Sequence, residues 1–271
     1  MLGYSFSVPS QLTSELDLSA VNIARGFAMD APLKAKSGHQ GTAMALAPLA
    51  HVLYSRVMKH DPTDALWPDR DRFVLSAGHA SILQYSMLFL QGYGLELSDI
   101  QNFRQWDSAT PGHPERGHTA GIEVTTGPLG QGFANAVGLA LAERHLRARF
   151  GSELTNHHTY VIAGDGCLME GVSHEAASLA GHQKLGRLIV VFDDNQITID
   201  GSTNLTCSDD VAMRFTSYGW DVVQLGSIGE DLDALESALV AARDSGDDRP
   251  KLLILRTQVG FPSPDWTGKH E

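Results

Sequence analysis

Cysteine is nearly absent: the 271 residues carry only Cys167 and Cys207. Two thiols give no disulfide framework, and a reducing, cytoplasmic setting is the default for such a chain. No His-x-x-x-His or His-Glu-x-x-His spacing and no Cys/His pairing points to zinc. Long apolar runs are also missing, so none reaches the roughly 18 residues that a membrane helix requires. Residues Met1 to Ser10 have neither the basic region nor the apolar core of a signal peptide, and none is expected. Positive charge is in deficit, with 20 Lys and Arg against 32 Asp and Glu and a formal net charge of −12. That balance excludes a general nucleic-acid binder. It does not exclude a phosphate ligand, because a bound metal or a helix N-terminus attracts an anion locally. No Gly-x-x-x-x-Gly-Lys-Ser/Thr loop is present, nor any internal repeat or low-complexity linker.

What is present reads as one folded unit. Hydrophobic residues make up 42% and charged residues 19%, the proportions of an ordinary globular chain able to bury a large core. Residues 1–271 are expected to form a single domain. Helical periodicity covers Leu12 to Met29 and ends near Pro32. It returns over Thr42 to Met58 despite Pro48, from about Ser81 to Gln91, over Ser98 to Trp106 with Ser98 as N-cap, and over Phe133 to Phe150. Further helices are expected over Gly171 to Leu185 and Leu232 to Arg243. Strands are predicted at Arg72 to Leu75, at the Tyr160 and Leu188 runs, at Trp220 to Leu225 and at Leu252 to Leu255. Strands separated by helices indicate an α/β fold with a parallel β-sheet and helices on both faces.

Two strand ends carry the chemistry. Tyr160-Val161-Ile162 leads into Gly164-Asp165-Gly166, and Leu188-Ile189-Val190-Val191-Phe192 leads into Asp193-Asp194-Asn195. In an open α/β sheet, ligands bind beyond such carboxyl ends. Taken singly, Asp165 reads equally as a helix cap and Asn195 as a turn residue. Together they suit a hard cation, Mg²⁺ with Ca²⁺ or Mn²⁺ as alternatives, holding a diphosphate. A backbone carbonyl near Asn195, that of Ile197, is expected as third ligand. The glycines of Thr126-Gly127-Pro128-Leu129-Gly130-Gln131-Gly132 precede the Phe133 helix and can turn backbone N–H groups toward an anion.

Histidine is abundant, with 12 residues, and five follow glycine: His39, His79, His113, His118 and His182. A histidine beside glycine in a loop is accessible, and its titration near neutrality suits proton transfer. Any one of them reads equally well as a surface or satisfied core residue.

Several segments, in order, resemble the transketolase family: Ser37 to Gly41, Asp69 to His79, Phe103-Arg104-Gln105, Thr110 to Glu115, Thr126 to Gly132, Gly164 to Gly171 and Asp193 to Gly201. The resemblance begins near Leu16 and covers the N-terminal half of a typical member, the half that binds the cofactor diphosphate. It implies the thiamine-diphosphate-binding fold and transfer of a two-carbon ketol unit from a ketose phosphate to an aldose acceptor. Asp165, Asn195 and the Ile197 carbonyl would be the metal ligands. His79, Gly127, Leu129, Gly166, Glu170 and Asn195 would contact the cofactor, with Glu170 also in an acidic network joining cofactor sites across a dimer. His39, His79 and His113 would be catalytic, His39 and His113 through contacts to the sugar near the reactive carbon.

The same resemblance implies what must come from elsewhere. In the family, the glutamate that helps deprotonate the cofactor and the arginines that hold the sugar phosphate lie in the pyrimidine-binding half. A split enzyme is therefore expected, with a C-terminal transketolase subunit as partner in an α2β2 assembly. Three departures stand out. The family's His-Pro-Gly reads His39-Gln40-Gly41, and its Ser-Asn-Gly-His reads Ser76-Ala77-Gly78-His79. A further histidine is expected after Gly260-Phe261-Pro262-Ser263, where either His270 serves or the matching position lies past Glu271. These leave open a related synthase using another donor such as pyruvate, and a non-catalytic, cofactor-binding regulatory subunit.

Overall fold

Five parallel strands form the centre of the computed structural model, which describes residues 13–269. They are β1 (Arg72–Leu75), β2 (Thr159–Gly164), β3 (Leu188–Asp194), β6 (Asp221–Gly226) and β7 (Lys251–Arg256), in the order β1-β2-β3-β7-β6. A separate antiparallel hairpin, β4 (Ile197–Thr198) with β5 (Gly201–Ser202), follows β3. The helices are α1 (Glu15–Ala35), α2 (Gly41–Ala45), α3 (Ala47–Val52), α4 (Ser81–Leu90), α5 (Leu97–Gln101), α6 (Gln131–Phe150), α7 (Asp165–Met169), α8 (Gly171–His182), α9 (Val211–Ser217) and α10 (Leu232–Arg243).

β2 and β3 read as unbroken apolar runs because consecutive residues face opposite sides of a sheet that is covered on both; Thr159 to Ala163 and Leu188 to Asp193 are all buried. On one face α6, α8 and α9 close around an aromatic cluster. Trp220 lies 5.9 Å from Phe133 and 5.0 Å from Phe215 between ring centroids, and its indole N–H donates to the Ala177 carbonyl at 2.8 Å. On the other face α1, α3, α4 and α10 pack together.

Three helices differ from expectation. The first begins at Glu15, capped by Ser14 and Asp17 in a reciprocal box, and passes through Pro32 to a left-handed Lys36. Leu12, its expected start, lies outside the described residues. The Thr42 to Met58 segment breaks into α2, α3 and a π-turn over Leu53–Val57. Pro48 has no N–H to give the Met44 carbonyl, and the Arg25 Nε donates to that carbonyl instead, at 3.2 Å. α5 starts one residue before the expected Ser98 cap, because Glu96 and Asp99 form the capping box, and it stops at Gln101.

The π-turn aims Arg56 inward, where it pairs with Asp17 at 2.9 Å and with Asp233 and Glu236 at 3.0 Å each. The side chains of Arg56 and Glu236 are 1% and 0% exposed. Removing a cation from such a cluster strands buried carboxylate charge. Arg56→Met is therefore expected to cost about 3–5 kcal/mol, seen as a fall of roughly 6–20 °C in Tm by calorimetry. A fall of a degree or less would show that the cluster contributes nothing to stability.

Candidate active site

The register pairs Gly164 of β2 with Asp193 of β3, so the residues that follow each strand emerge side by side. Asp165 opens α7, and Asn195 enters the turn before β4. Gln196, left-handed at φ 60°, folds that turn back. Its N–H donates to the Asp165 carboxylate at 3.2 Å. The Asn195 amide nitrogen donates to Asp193 at 2.7 Å, and its oxygen accepts from the Ile197 N–H at 2.9 Å. Asp193 is buried and also accepts a hydrogen bond from the Thr257 hydroxyl.

This corner concentrates negative charge. Burial, and then the nearby Asp194 and Asp193 carboxylates, push the Asp165 carboxyl up to about 7. Burial pushes Asp193 up to about 6 against the hydrogen bonds from Thr257 and Asn195. A cation would relieve that repulsion. Among the described residues, no three His, Cys, Asp or Glu side chains cluster as a metal site. The set expected from the sequence is of another kind: the Asp165 carboxylate, the Asn195 amide oxygen and the Ile197 backbone carbonyl. Hard oxygens of this type suit Mg²⁺ or Ca²⁺ with a phosphate completing the shell.

The glycine loop lies alongside. Gly127 and Gly130 have φ values of 143° and 78°, and a Cβ at Gly130 would stand 2.7 Å from the Glu170 Cβ. Only glycine fits there, and the fit seats the loop on the start of α8. Leu129 reaches Gly166, its Cδ1 lying 3.0 Å from where a Cβ would be. Among the described residues, nothing accepts from the backbone N–H of Gly127 or Leu129, and the buried Thr126 hydroxyl has no partner. Unfilled donors beside this carboxylate corner fit a diphosphate. The α6 end is less open than its sequence implies, since the Phe133 N–H already donates to the Ser76 hydroxyl at 3.0 Å.

Beyond the loop, His39, His79 and His113 converge. The His39 and His79 rings meet edge to face at 5.0 Å, and the His113 ring lies 3.3 Å from a Cβ position on Gly127. The His113 loop is pinned by Ser81, donating to the Gly112 carbonyl at 2.9 Å, and by Tyr85, donating to the His113 carbonyl at 3.1 Å. Burial, then the neighbouring His39 and His113, lower His79 to about 4. Burial, then Arg104, lower His113. Both rings are therefore set to act as neutral hydrogen-bonding groups near pH 7. The other two Gly-His histidines lie elsewhere. His118 bonds the Ser108 carbonyl at 2.7 Å, and His182 is exposed at the end of α8.

The departures from the family pattern have local explanations. The Gln40 amide donates to the Met29 carbonyl at 2.7 Å, tying the His39 loop to α1. Ala77 is buried beneath the His79 turn. The Gly260 N–H donates to the Gly41 carbonyl at 3.0 Å, so the C-terminal turn packs on Gly41, two residues past His39. His270 lies outside the described residues. Sequence reasoning missed Arg104, Asp193 and Thr257 as parts of the site. Asp193 was visible as the first of two aspartates closing an apolar run, and Arg104 stood within the Phe103-Arg104-Gln105 segment that resembles the family without being assigned a role; Thr257 carried no local signal.

Comparison with known proteins follows the same lines. The family described as transketolase, thiamine diphosphate binding domain, matches residues 16–271. A transketolase of Nostoc sp. is 52% identical over 257 residues, 93% of this chain and 38% of its own length. Transketolase 1 of Escherichia coli is 52% identical over 253 residues, 92% of this chain and 38% of its own. The transketolase structure from Leishmania mexicana superposes with a TM-score of 0.90 at 47% identity, over 95% of this chain and 38% of that one. A Pichia stipitis transketolase solved in complex with sedoheptulose 7-phosphate gives 0.90 at 47%, over 94% and 38%. The chain thus spans well under half the length of the relatives it matches.

Proposed function

The chain belongs to the transketolase family, of which it carries the thiamine-diphosphate-binding part, and we propose that it serves an enzyme moving a two-carbon ketol unit from a ketose phosphate to an aldose acceptor. The single observation that carries this reading is the convergence of His39, His79 and His113 on a glycine loop whose other end meets Asp165 and Asn195. One end of that surface is built for a metal diphosphate and the other for hydroxyls and a carbonyl.

Thiamine diphosphate, when bound, supplies carbanion stabilisation. The chain's residues bind and orient. Asp165, Asn195 and the Ile197 carbonyl hold the metal; Gly127, Leu129 and Gly166 meet the diphosphate; Glu170 backs the loop at Gly130. His39 and His113 hold the sugar near the reacting carbon, and His79, kept neutral, hydrogen-bonds without adding positive charge. The Gln40 amide is tied to the Met29 carbonyl of α1, a structural role that accounts for this departure without a pyruvate-using synthase.

The remainder of the apparatus lies in the part of the relatives that this chain does not match. We assign it to a C-terminal transketolase subunit carrying the pyrimidine-binding domain, paired in an α2β2 assembly in the cytoplasm. Exposed Leu16, Ile23, Met29 and Leu33 on α1 offer such a partner an apolar surface. No helix among the described residues is long and apolar enough to cross a membrane.

His113→Ala tests the reading. In the assembled enzyme, kcat with a ketose phosphate should fall by about 10²–10³, as when one oriented donor is removed, while the Kd for thiamine diphosphate stays near wild type. Unchanged turnover would make His113 structural. Turnover of pyruvate in place of the ketose would redirect the proposal to a synthase.

A further inference from the structure

Asp193 is a buried carboxylate with no cation beside it. Glu143 and Glu236, buried as deeply, each meet an arginine, Arg147 and Arg56. Among the described residues Asp193 forms no ion pair, although it is 1% exposed. A carboxylate in such a place is costly unless hydrogen bonds hold it. Both of its oxygens are held. One accepts from the Thr257 hydroxyl, and the other accepts from the Asn195 amide nitrogen at 2.7 Å.

The end of β7 braces this arrangement from the side. β7 runs beside β3 with Arg256 opposite Asp194. The Arg256 guanidinium donates to the Asp194 carboxylate at 3.2 Å and to the Gln196 side-chain oxygen at 2.8 Å, and the Thr257 N–H donates to the Asp194 carbonyl at 3.4 Å. The turn from Asp193 to Ile197 is thus fixed on a neighbouring strand.

Within that turn the Asn195 amide has one satisfied orientation. Its nitrogen faces an acceptor, Asp193, and its oxygen faces a donor, the Ile197 N–H at 2.9 Å. Reversed, it would set oxygen against carboxylate and N–H against N–H, with one of the two unmade bonds on a buried carboxylate. An amide oxygen has two lone pairs, so the one that Ile197 does not use is left over. The preceding N–H, that of Gln196, donates to the Asp165 carboxylate at 3.2 Å. Adjacent peptide groups of one turn therefore carry the Asp165 and Asn195 oxygens. A hard cation takes the oxygen of an amide, not its nitrogen.

We propose that Asp193, held by Thr257, is a positioning residue for the cation: it locks the Asn195 amide with its oxygen presented for coordination. The inference rests on the metal assignment of Asp165, Asn195 and Ile197 for the cation, and on hydrogen bonding alone for the orientation.

Two measurements separate these. In the full chain without metal, the Asn195 side-chain amide should give a downfield NMR signal protected from solvent exchange. The signal should be lost in the double variant Asp193→Leu with Thr257→Val. A freely exchanging amide in the wild type would overturn the proposal, whether or not the variant folds. That variant replaces both hydrogen-bonding partners by apolar groups of similar shape, so its Tm should hold near the wild-type value. Mn²⁺ is then titrated into the full chain, with the free ion read by EPR. The double variant should bind it about 10- to 100-fold more weakly, the usual effect of removing a group that orients a metal ligand. Loss of a carboxylate also weakens the general attraction for a cation, so the same pair of substitutions is repeated on Asn195→Asp, whose carboxylate presents oxygen either way round. There the affinity should hold or tighten. An equal fall in both backgrounds would reduce Asp193 to a charge, and an unchanged affinity beside Asn195 would show an amide that needs no support; either result overturns the proposal. Mn²⁺ binding that is absent from the wild type, or that survives Asp165→Ala, would sink the metal assignment, with the NMR signal still deciding what holds the amide.

Discussion

Asp165→Ala is expected to abolish Mg²⁺-dependent binding of thiamine diphosphate by the assembled enzyme. Asp165 is the only carboxylate in the proposed ligand set with Asn195 and Ile197, and a hard divalent cation without it would lose its charged anchor. The diphosphate would then face Asp193 and Asp194 with no cation between them. A ligand that binds only the native state stabilises by mass action, about 2.7 kcal/mol at one hundred times Kd. Near-saturating cofactor and Mg²⁺ should therefore raise the wild-type Tm by roughly 5–10 °C and leave that of the variant unmoved. Calorimetry with and without cofactor gives the answer. Wild-type-like affinity in Asp165→Ala would remove the metal from this corner altogether.

The purified chain by itself should show no transketolase turnover, and addition of a polypeptide matching the other part of the relatives should restore it. On the proposed reading the chain supplies diphosphate contacts and three histidines, and activation of the cofactor from the pyrimidine side falls to the other part. The expected difference is the whole of the activity. Steady-state assays with a ketose phosphate, alone and after co-expression, measure it, and light scattering reports whether a defined tetramer accompanies it. Robust turnover by the chain alone would overturn the division of labour. Activity only when the second half is fused in the same chain would place that half in cis.

Much of the frame was legible because it is local. β2 and β3 announce themselves as continuous apolar runs, since parallel strands are buried on both sides, and Gly-Asp-Gly and Asp-Asp-Asn mark where they end. The Thr42 to Met58 helix was read wrongly because the carbonyl freed by Pro48 is satisfied by Arg25, from another helix. No periodicity within the segment could show that. The Gly-His pairs were visible as a group, but residue type did not separate His39, His79 and His113 from His118 and His182.

The amino-acid sequence by itself determined the alternation of strands and helices, the two strand ends that carry Asp165 and Asn195, and the family. These depend on side-chain period, turn chemistry and short motifs, all set within a few residues of chain. Only the tertiary structure decided which histidines meet, that Gln40 bonds α1, that Asp193 is held by Thr257, and that Arg104 stands between Gly38 and Gly112. Those relations join segments far apart in the chain. Strand register and close packing fix them, and neither is written in any one stretch of sequence.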